Sequence, residues 1–173
     1  SILNYPYVIE VVIPLPLDNT FDYLVSESEF TLISIGCRVV VSFGSKKLYT
    51  GIVLSKSKNV NIDFNLKEIK FIVDEIPCVG VSQINFYKWI SNYYMCPIGT
   101  VFDAALPKSL LIRSETVIKV KNDNSHDSLS EKSIHLLEVI NQNQEILVKD
   151  LSRIFGNSIL KDINELISKD VIV

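Results

Sequence analysis

Residues 35–55 read IGCRVVVSFGSKKLYTGIVLS, and this stretch decides the fold class. Arg38 to Val41 and Tyr49 to Leu54 are runs suited to strands. Between them Ser42-Phe43-Gly44-Ser45-Lys46-Lys47 is a natural hairpin loop, with Gly44 able to take positive φ. Working outward, Tyr7 to Ile13 is a β-branched run closed by Pro14 and Pro16, Phe21 to Val25 is a short second one, and Ile69 to Val73 another. Around Ser82 the pattern changes. Ile84, Tyr87, Ile90, Tyr94 and Phe86, Trp89, Tyr93 recur at helical spacing, with Ser82 as the cap and Pro97 as the stop. These aromatic rows read as core packing in preference to a platform for stacking bases. Residues 1–108 are therefore expected to form a small antiparallel sheet or partial barrel with one packed helix.

The remainder has a different architecture. Residues 109–128 read as a linker, with a short strand allowed at Glu115 to Val120 and a polar, aperiodic stretch from Asn122 to Ser128 that leaves His126 exposed. From 129 to 173 three helical segments follow, marked by Ile134, Leu137 and Ile140, then Leu147, Leu151, Ile154 and Phe155 up to Gly156, then Ile159, Ile163, Leu166 and Ile167 after Asn157 or Ser158. His135 falls on the surface of the first. Helix, short glycine turn, helix is helix-turn-helix geometry, and Val171-Ile172-Val173 begins a strand, so a winged-helix domain truncated at its wing is expected. The whole chain is thus α+β. The third helix would present Lys161 and Lys169 but also Asp162 and Glu165, with Asp170 following. Outward acids oppose phosphate neutralisation, which favours a spacer or protein-contact role over groove reading.

Composition narrows the function. The chain has 173 residues, 47% of them hydrophobic, enough to build cores and to exclude disorder. No apolar stretch approaches the roughly 20 residues of a membrane helix, and no signal peptide is expected. The start at Ser1, with Met95 the only methionine, suggests an excised piece. Cys37, Cys78 and Cys96 lack Cys-x-x-Cys spacing and stand far from both histidines, so neither a disulfide framework nor a metal site is expected, and a reducing cytoplasm suits them. The net charge of −3 hides an uneven distribution: between Glu29 and Asp63 there is no acid, while Arg38, Lys46, Lys47, Lys56 and Lys58 lie in that interval. Such a basic surface suits a polyanion, or else a solvated hairpin with lysines guarding an edge. Phosphate-binding loops, dinucleotide fingerprints and patterned nucleophile–histidine pairs do not occur. Asp74-Glu75 beside Pro77 suits a turn better than acid–base work.

Four blocks carry a resemblance: VVIPLPLDNTFDYLV (11–25), IGCRVVVSFGSKKLYTGIVLS (35–55), LKEIKFIVDEIP (66–77) and WISNYYMCPIGTVFDAALP (89–107). In this order and spacing they resemble the amino-terminal region of the PriA replication-restart helicases, the primosomal N′ family. Each block alone is weakly specific, but the four together are specific and span nearly all of residues 7–108. The resemblance implies a domain that holds the 3′-terminal nucleotide of a nascent leading strand at a stalled fork, followed by a winged helix. It places the terminal pocket on Phe21, Asp22, Gly44 and Lys67. One departure is Ser42, where the family often has proline, which bears on loop rigidity. The resemblance further implies branched DNA with a free 3′-hydroxyl, primosome proteins and single-stranded-DNA-binding protein as partners, in the bacterial cytoplasm at the nucleoid. ATP, magnesium and zinc would belong to a motor that this stretch does not contain, so the piece binds without unwinding.

The residue chemistry fits. An ionised Asp22 accepts from a terminal hydroxyl and repels a phosphate in its place. Phe21 offers a ring to the terminal base or sugar, Gly44 allows close backbone approach, and Lys67 neutralises a phosphate, with Lys46 and Lys47 as looser electrostatic help. Taken alone each residue has a plainer reading: Phe21 as core, Asp22 as a turn former, Gly44 as a hairpin residue, Lys67 as a solvated charge. Two other functions stand beside this one: a sequence-specific regulator acting through the helix-turn-helix, and a protein-interaction module that binds no nucleic acid.

Overall fold

The computed structural model describes residues 7–58, 65–121, 129–156 and 158–173. The polar stretch containing His126, and Asn157 as a helix cap, lie outside the described residues. The chain divides into two compact units, 1–111 and 112–173. Both mix helices with antiparallel strands.

In the first unit, β1 (Tyr7–Val12), β2 (Phe21–Val25), β3 (Arg38–Phe43), β4 (Lys47–Lys58) and β5 (Phe71–Ile72) form one sheet in the order β2-β1-β4-β3-β5. Every pairing in it is antiparallel. The expected hairpin is present and tighter than anticipated. Phe43 pairs with Lys47, so only Gly44, Ser45 and Lys46 turn the chain. Gly44 (φ +64°) and Lys46 (φ +66°) are both left-handed, and the Lys46 N–H donates to the Gly44 carbonyl. No side chain at position 44 would meet a neighbour, so the glycine serves backbone conformation there.

The two ends of the sheet are joined by one segment. The Leu24 N–H donates to the Lys67 carbonyl and the Ile69 N–H to the Leu24 carbonyl, on the outer edge of β2. A few residues later the same segment pairs as β5 with β3. The sheet therefore curls toward a barrel. Its interior is filled by Ile9, Val11, Ile13, Tyr23, Val25, Val39, Val41, Tyr49, Val53 and Ile69. A second core, on Val12, Ile52 and Leu54, is completed by Val79, Ile84, Ile98 and Phe102.

The helices are more numerous than the one expected for this region. A short α1 (Glu27–Leu32) starts at Ser26, whose hydroxyl accepts from the Glu29 N–H while the Glu29 carboxylate accepts from the Ser26 N–H. Then come α2 (Val81–Tyr94) and α3 (Ile98–Ala105). The cap of α2 is Gly80, not Ser82, with the Gln83 side chain accepting from the Gly80 N–H. As expected, α2 ends just before Pro97, at Met95 in the left-handed region, and Pro97 then opens α3.

The reading of the aromatic rows as core is corrected by the structure. Ile84 is buried and Tyr87 half-buried, but Phe86, Trp89, Tyr93 and Tyr94 are all more than half exposed. The sheet offers α2 only one narrow face, which Ile84 and Tyr87 fill.

In the second unit, β6 (Val117–Ile118) pairs with β7 (Ile146–Leu147), and Val120 bridges to Ile172. Around them lie α4 (Glu131–Asn143), α5 (Val148–Phe155) and α6 (Ile159–Ser168). Val171 to Val173 runs beside Lys119 and Lys121 through three backbone hydrogen bonds, the strand the sequence suggested there. Residues 112–121, read from the sequence as linker, fold into this unit. Leu136, Ile140, Leu151, Ile159, Ile163 and Leu166 are buried, which sets the inward faces of the three helices. Gly156 (φ +83°) makes the turn between α5 and α6. His135 is exposed on α4, its ring edge-on to Phe155.

Candidate nucleic-acid interface

An open pocket of about 350 Å³ lies where β2, the β3–β4 turn and the segment before β5 meet. That is near the lower end of ligand-site volumes, about 300–1,000 Å³. Thr20, Phe21, Asp22 and Tyr23 come from the start of β2, Ser42, Phe43 and Gly44 from the hairpin, and Asn65, Leu66 and Lys67 from the closing segment. The structure thus brings Phe21, Asp22, Gly44 and Lys67 to one cavity, although more than forty residues separate Asp22 from Lys67.

Each wall has a reason to be where it is. Phe21 is half-buried, its ring 4.7 Å from that of Phe43, which in turn stands edge-on to Tyr49 in the barrel interior. It is therefore both a core contact and a pocket wall. Beneath the pocket the Tyr23 hydroxyl donates to the Ser42 carbonyl at 3.1 Å and fixes β2 to the hairpin. Burial pushes the Tyr23 phenol up to about 12, so it remains a donor at any working pH. Lys67 is held through its own carbonyl, which accepts from Leu24, so its side chain starts from a fixed backbone position.

Asp22 is a strand residue, not a turn former, and it lies directly across from Glu10 in the β1–β2 register. Like charges in opposed positions destabilise a sheet. Burial, and then the Glu10 charge, raise the Asp22 carboxyl above its ordinary value. Glu10 itself accepts from the Thr20 hydroxyl at 3.0 Å and from the Ser55 hydroxyl at 3.4 Å. Sequence reasoning missed Glu10 and Thr20. The available signal was a lone acid inside the apolar run YVIEVVI, a position that a strand leaves charged only when partners surround it.

The basic interval proves to be only partly a surface. Arg38 is largely buried, and its Nε and Nη2, one edge of the guanidinium, both donate to the Asp74 carboxylate, at 2.9 and 2.7 Å. Lys56 donates to the Phe30 and Ile33 carbonyls and lies over the Phe30 ring, where it caps the end of α1. Lys46 and Lys47 are exposed at the turn but do not line the pocket. Among the described residues no group of three or more His, Cys, Asp or Glu converges in a metal-binding arrangement, and no helix is long and apolar enough to cross a membrane. Burial raises the Cys37 thiol and pushes Cys78 up to about 11, which holds both neutral.

The pocket wall therefore offers a carboxylate, the aromatic residues Phe21, Tyr23 and Phe43, and one cation, the complement of a ligand with a hydroxyl, a flat ring and an anionic group. Comparison with known proteins places the chain in a family. The replication restart protein PriA of Buchnera aphidicola (subsp. Acyrthosiphon pisum) is 36% identical over 115 residues, covering 66% of this chain and 15% of that protein. The protein of the same name from Rickettsia conorii is 30% identical over 152 residues, covering 83% of this chain and 22% of that one. That of Bacillus subtilis is 25% identical over 118 residues, 68% of this chain and 15% of its own length. The chain thus spans less than a quarter of the length of these relatives. The family model of the PriA 3′DNA-binding domain (3′BD) matches residues 10–107, the stretch that carries the sheet, the pocket and α2, and the chain belongs to that family.

Proposed function

We propose that this chain binds DNA at replication restart by holding the 3′-terminal nucleotide of a strand in the pocket of its first unit. The observation that carries the reading is the convergence of Phe21, Asp22, Gly44 and Lys67 on one small cavity in a chain of this family. In it Asp22 accepts from the 3′-hydroxyl and excludes a 3′-phosphate by charge. Phe21 packs against the terminal sugar or base without reading identity, and Lys67 neutralises the adjoining phosphate. Gly44 brings the hairpin backbone close to the nucleotide, and Lys46 and Lys47 add a looser attraction. The chain performs no chemistry on the DNA. ATP, magnesium and zinc belong to the motor region of longer relatives, and primosome proteins and single-stranded-DNA-binding protein are partners of the assembled machine.

The second unit is proposed to be a winged helix, with α5 and α6 as its helix-turn-helix and the strands at β6, β7 and Ile172 as the root of its wing. Groove reading by α6 is disfavoured, because Glu165 pairs with Lys169 and Asp162 lies 3.3 Å from Lys132, which occupies lysines that phosphate contacts would need.

The test is fluorescence anisotropy on oligonucleotides that differ only in a 3′-hydroxyl or a 3′-phosphate. The parent protein should prefer the hydroxyl end by roughly tenfold, the order of one charge-assisted hydrogen bond, and Asp22→Ala should erase the preference. Equal affinity for both ends in the parent would reduce the pocket to a general anion surface.

A further inference from the structure

The helix α2 carries a ladder of rings that the pocket does not use. Phe86 and Trp89 have centroids 6.2 Å apart and planes within 10° of parallel, and Trp89 and Tyr93 follow at 5.0 Å and 19°. Tyr94 stands edge-on to Tyr93 at the end of the row. These rings are 53–66% exposed, and Met95 beyond them is 92% exposed. Spacings of three and four residues put successive rings one above another on the helix surface, so the ladder follows from the sequence once its inward neighbours Ile84 and Tyr87 are docked. Charge is distributed in keeping with this. The protein carries a net −3, yet residues 76–102 hold no Asp or Glu and one cation, Lys88. Asn85 and Asn92 are exposed neutral polar residues on the same helix.

We infer that this face of α2 is a second nucleic-acid contact, a stacking rail for the bases of single-stranded DNA that does not depend on a terminus. Parallel exposed rings suit a strand whose bases all present flat π faces, and such stacking tolerates any sequence. The rail rests on a different core from the pocket: Phe21 and Phe43 pack against the barrel interior, whereas α2 packs on the cluster of Val12, Ile52 and Phe102. The inference extends the DNA-binding reading, but the two contacts are separable.

Trp89 is the only tryptophan in the chain, so its fluorescence reports on the rail directly. The experiment titrates a thymidine 20-mer ending in a 3′-phosphate into the full chain, with Phe86→Ala/Tyr93→Ala and Asp22→Ala beside the parent. Both mutated rings are exposed, and a thermal melt confirms that each variant is folded. Quenching of Trp89 by the blocked 20-mer is expected, with affinity reduced on the order of tenfold in the double variant and the 3′-hydroxyl preference retained. Asp22→Ala should lose that preference and keep the quenching, so failure of the pocket and failure of the rail give different results. Unchanged Trp89 emission together with equal affinity of parent and double variant overturns the inference. So does sedimentation that shows a parent dimer, a monomeric double variant and no difference in DNA affinity, since the face would then be an interface between copies.

Discussion

At the scale of single residues, the Asp22–Glu10 pair sets a functional demand against a stability cost. Because the folded protein raises the Asp22 carboxyl, its proton is held more tightly in the folded than in the unfolded state. That contribution is present below the unfolded carboxyl value and is lost as pH rises through the folded one. Asp22→Asn should therefore melt slightly higher than the parent at neutral pH, with the gain disappearing at roughly pH 3, where both states are protonated. The effect is small because Asp22 is well exposed to solvent. The same variant should lose the hydroxyl-end preference, and in the parent that preference should fade as pH falls through the Asp22 value. Glu10→Gln removes the opposing charge and should move that fading to lower pH, as read by anisotropy across a pH series. The pocket residues were identifiable from the sequence only through the family blocks. Nothing in the types Phe, Asp, Gly and Lys separates a pocket from a turn, and Glu10 and Thr20 entered only with the strand register.

At the scale of elements, two close fits hold the first unit together. A β-carbon on Gly99 would lie 1.9 Å from the Leu15 carbonyl oxygen, because the first turn of α3 sits against the Pro14–Leu17 segment. Backbone cannot give way as a side-chain tip can, so Gly99→Ala should destabilise by about 3 kcal/mol in denaturant unfolding. The Arg38–Asp74 pair joins the start of β3 to the turn after β5, and Arg38 also donates to the Leu110 carbonyl. Each side chain is only 12% exposed. Removing one partner strands the other, so Asp74→Ala should cost about 3–5 kcal/mol, while the Arg38→Met/Asp74→Leu double variant should cost markedly less. Strands were legible in the sequence because alternation and β-branched runs are local. Phe21–Val25 was read residue for residue, and the hairpin was placed correctly, although its second strand runs over Lys47–Lys58 where Tyr49 to Leu54 was read. The direction in which α2 faces was not legible, since two helical rows were equally apolar and the choice between them is made by the sheet beneath.

At the scale of the whole molecule, two units with separate cores should unfold in two steps. Calorimetry of the full chain should resolve two transitions, and Asp74→Ala should lower one and leave the other in place. A single transition displaced as a whole by that variant would show that the units melt as one body. The sequence offers a polar linker over residues 109–128 as the only marker between two units, because the change from strand to helical spacing comes earlier, around Ser82. The short strand allowed at Glu115 to Val120 is present as Val117–Ile118, and its partner at Ile146–Leu147 is a pairing between distant residues that no local pattern displays.

The segment that carries Lys67 also guards an edge of the sheet. By bonding to both the N–H and the C=O of Leu24 it hides an edge of β2 that would otherwise template pairing with another chain. Peeling this segment away would dismantle the pocket and expose an adhesive strand in the same event. Loss of ligand recognition and onset of aggregation should therefore share one threshold, and occupancy of the pocket should delay both.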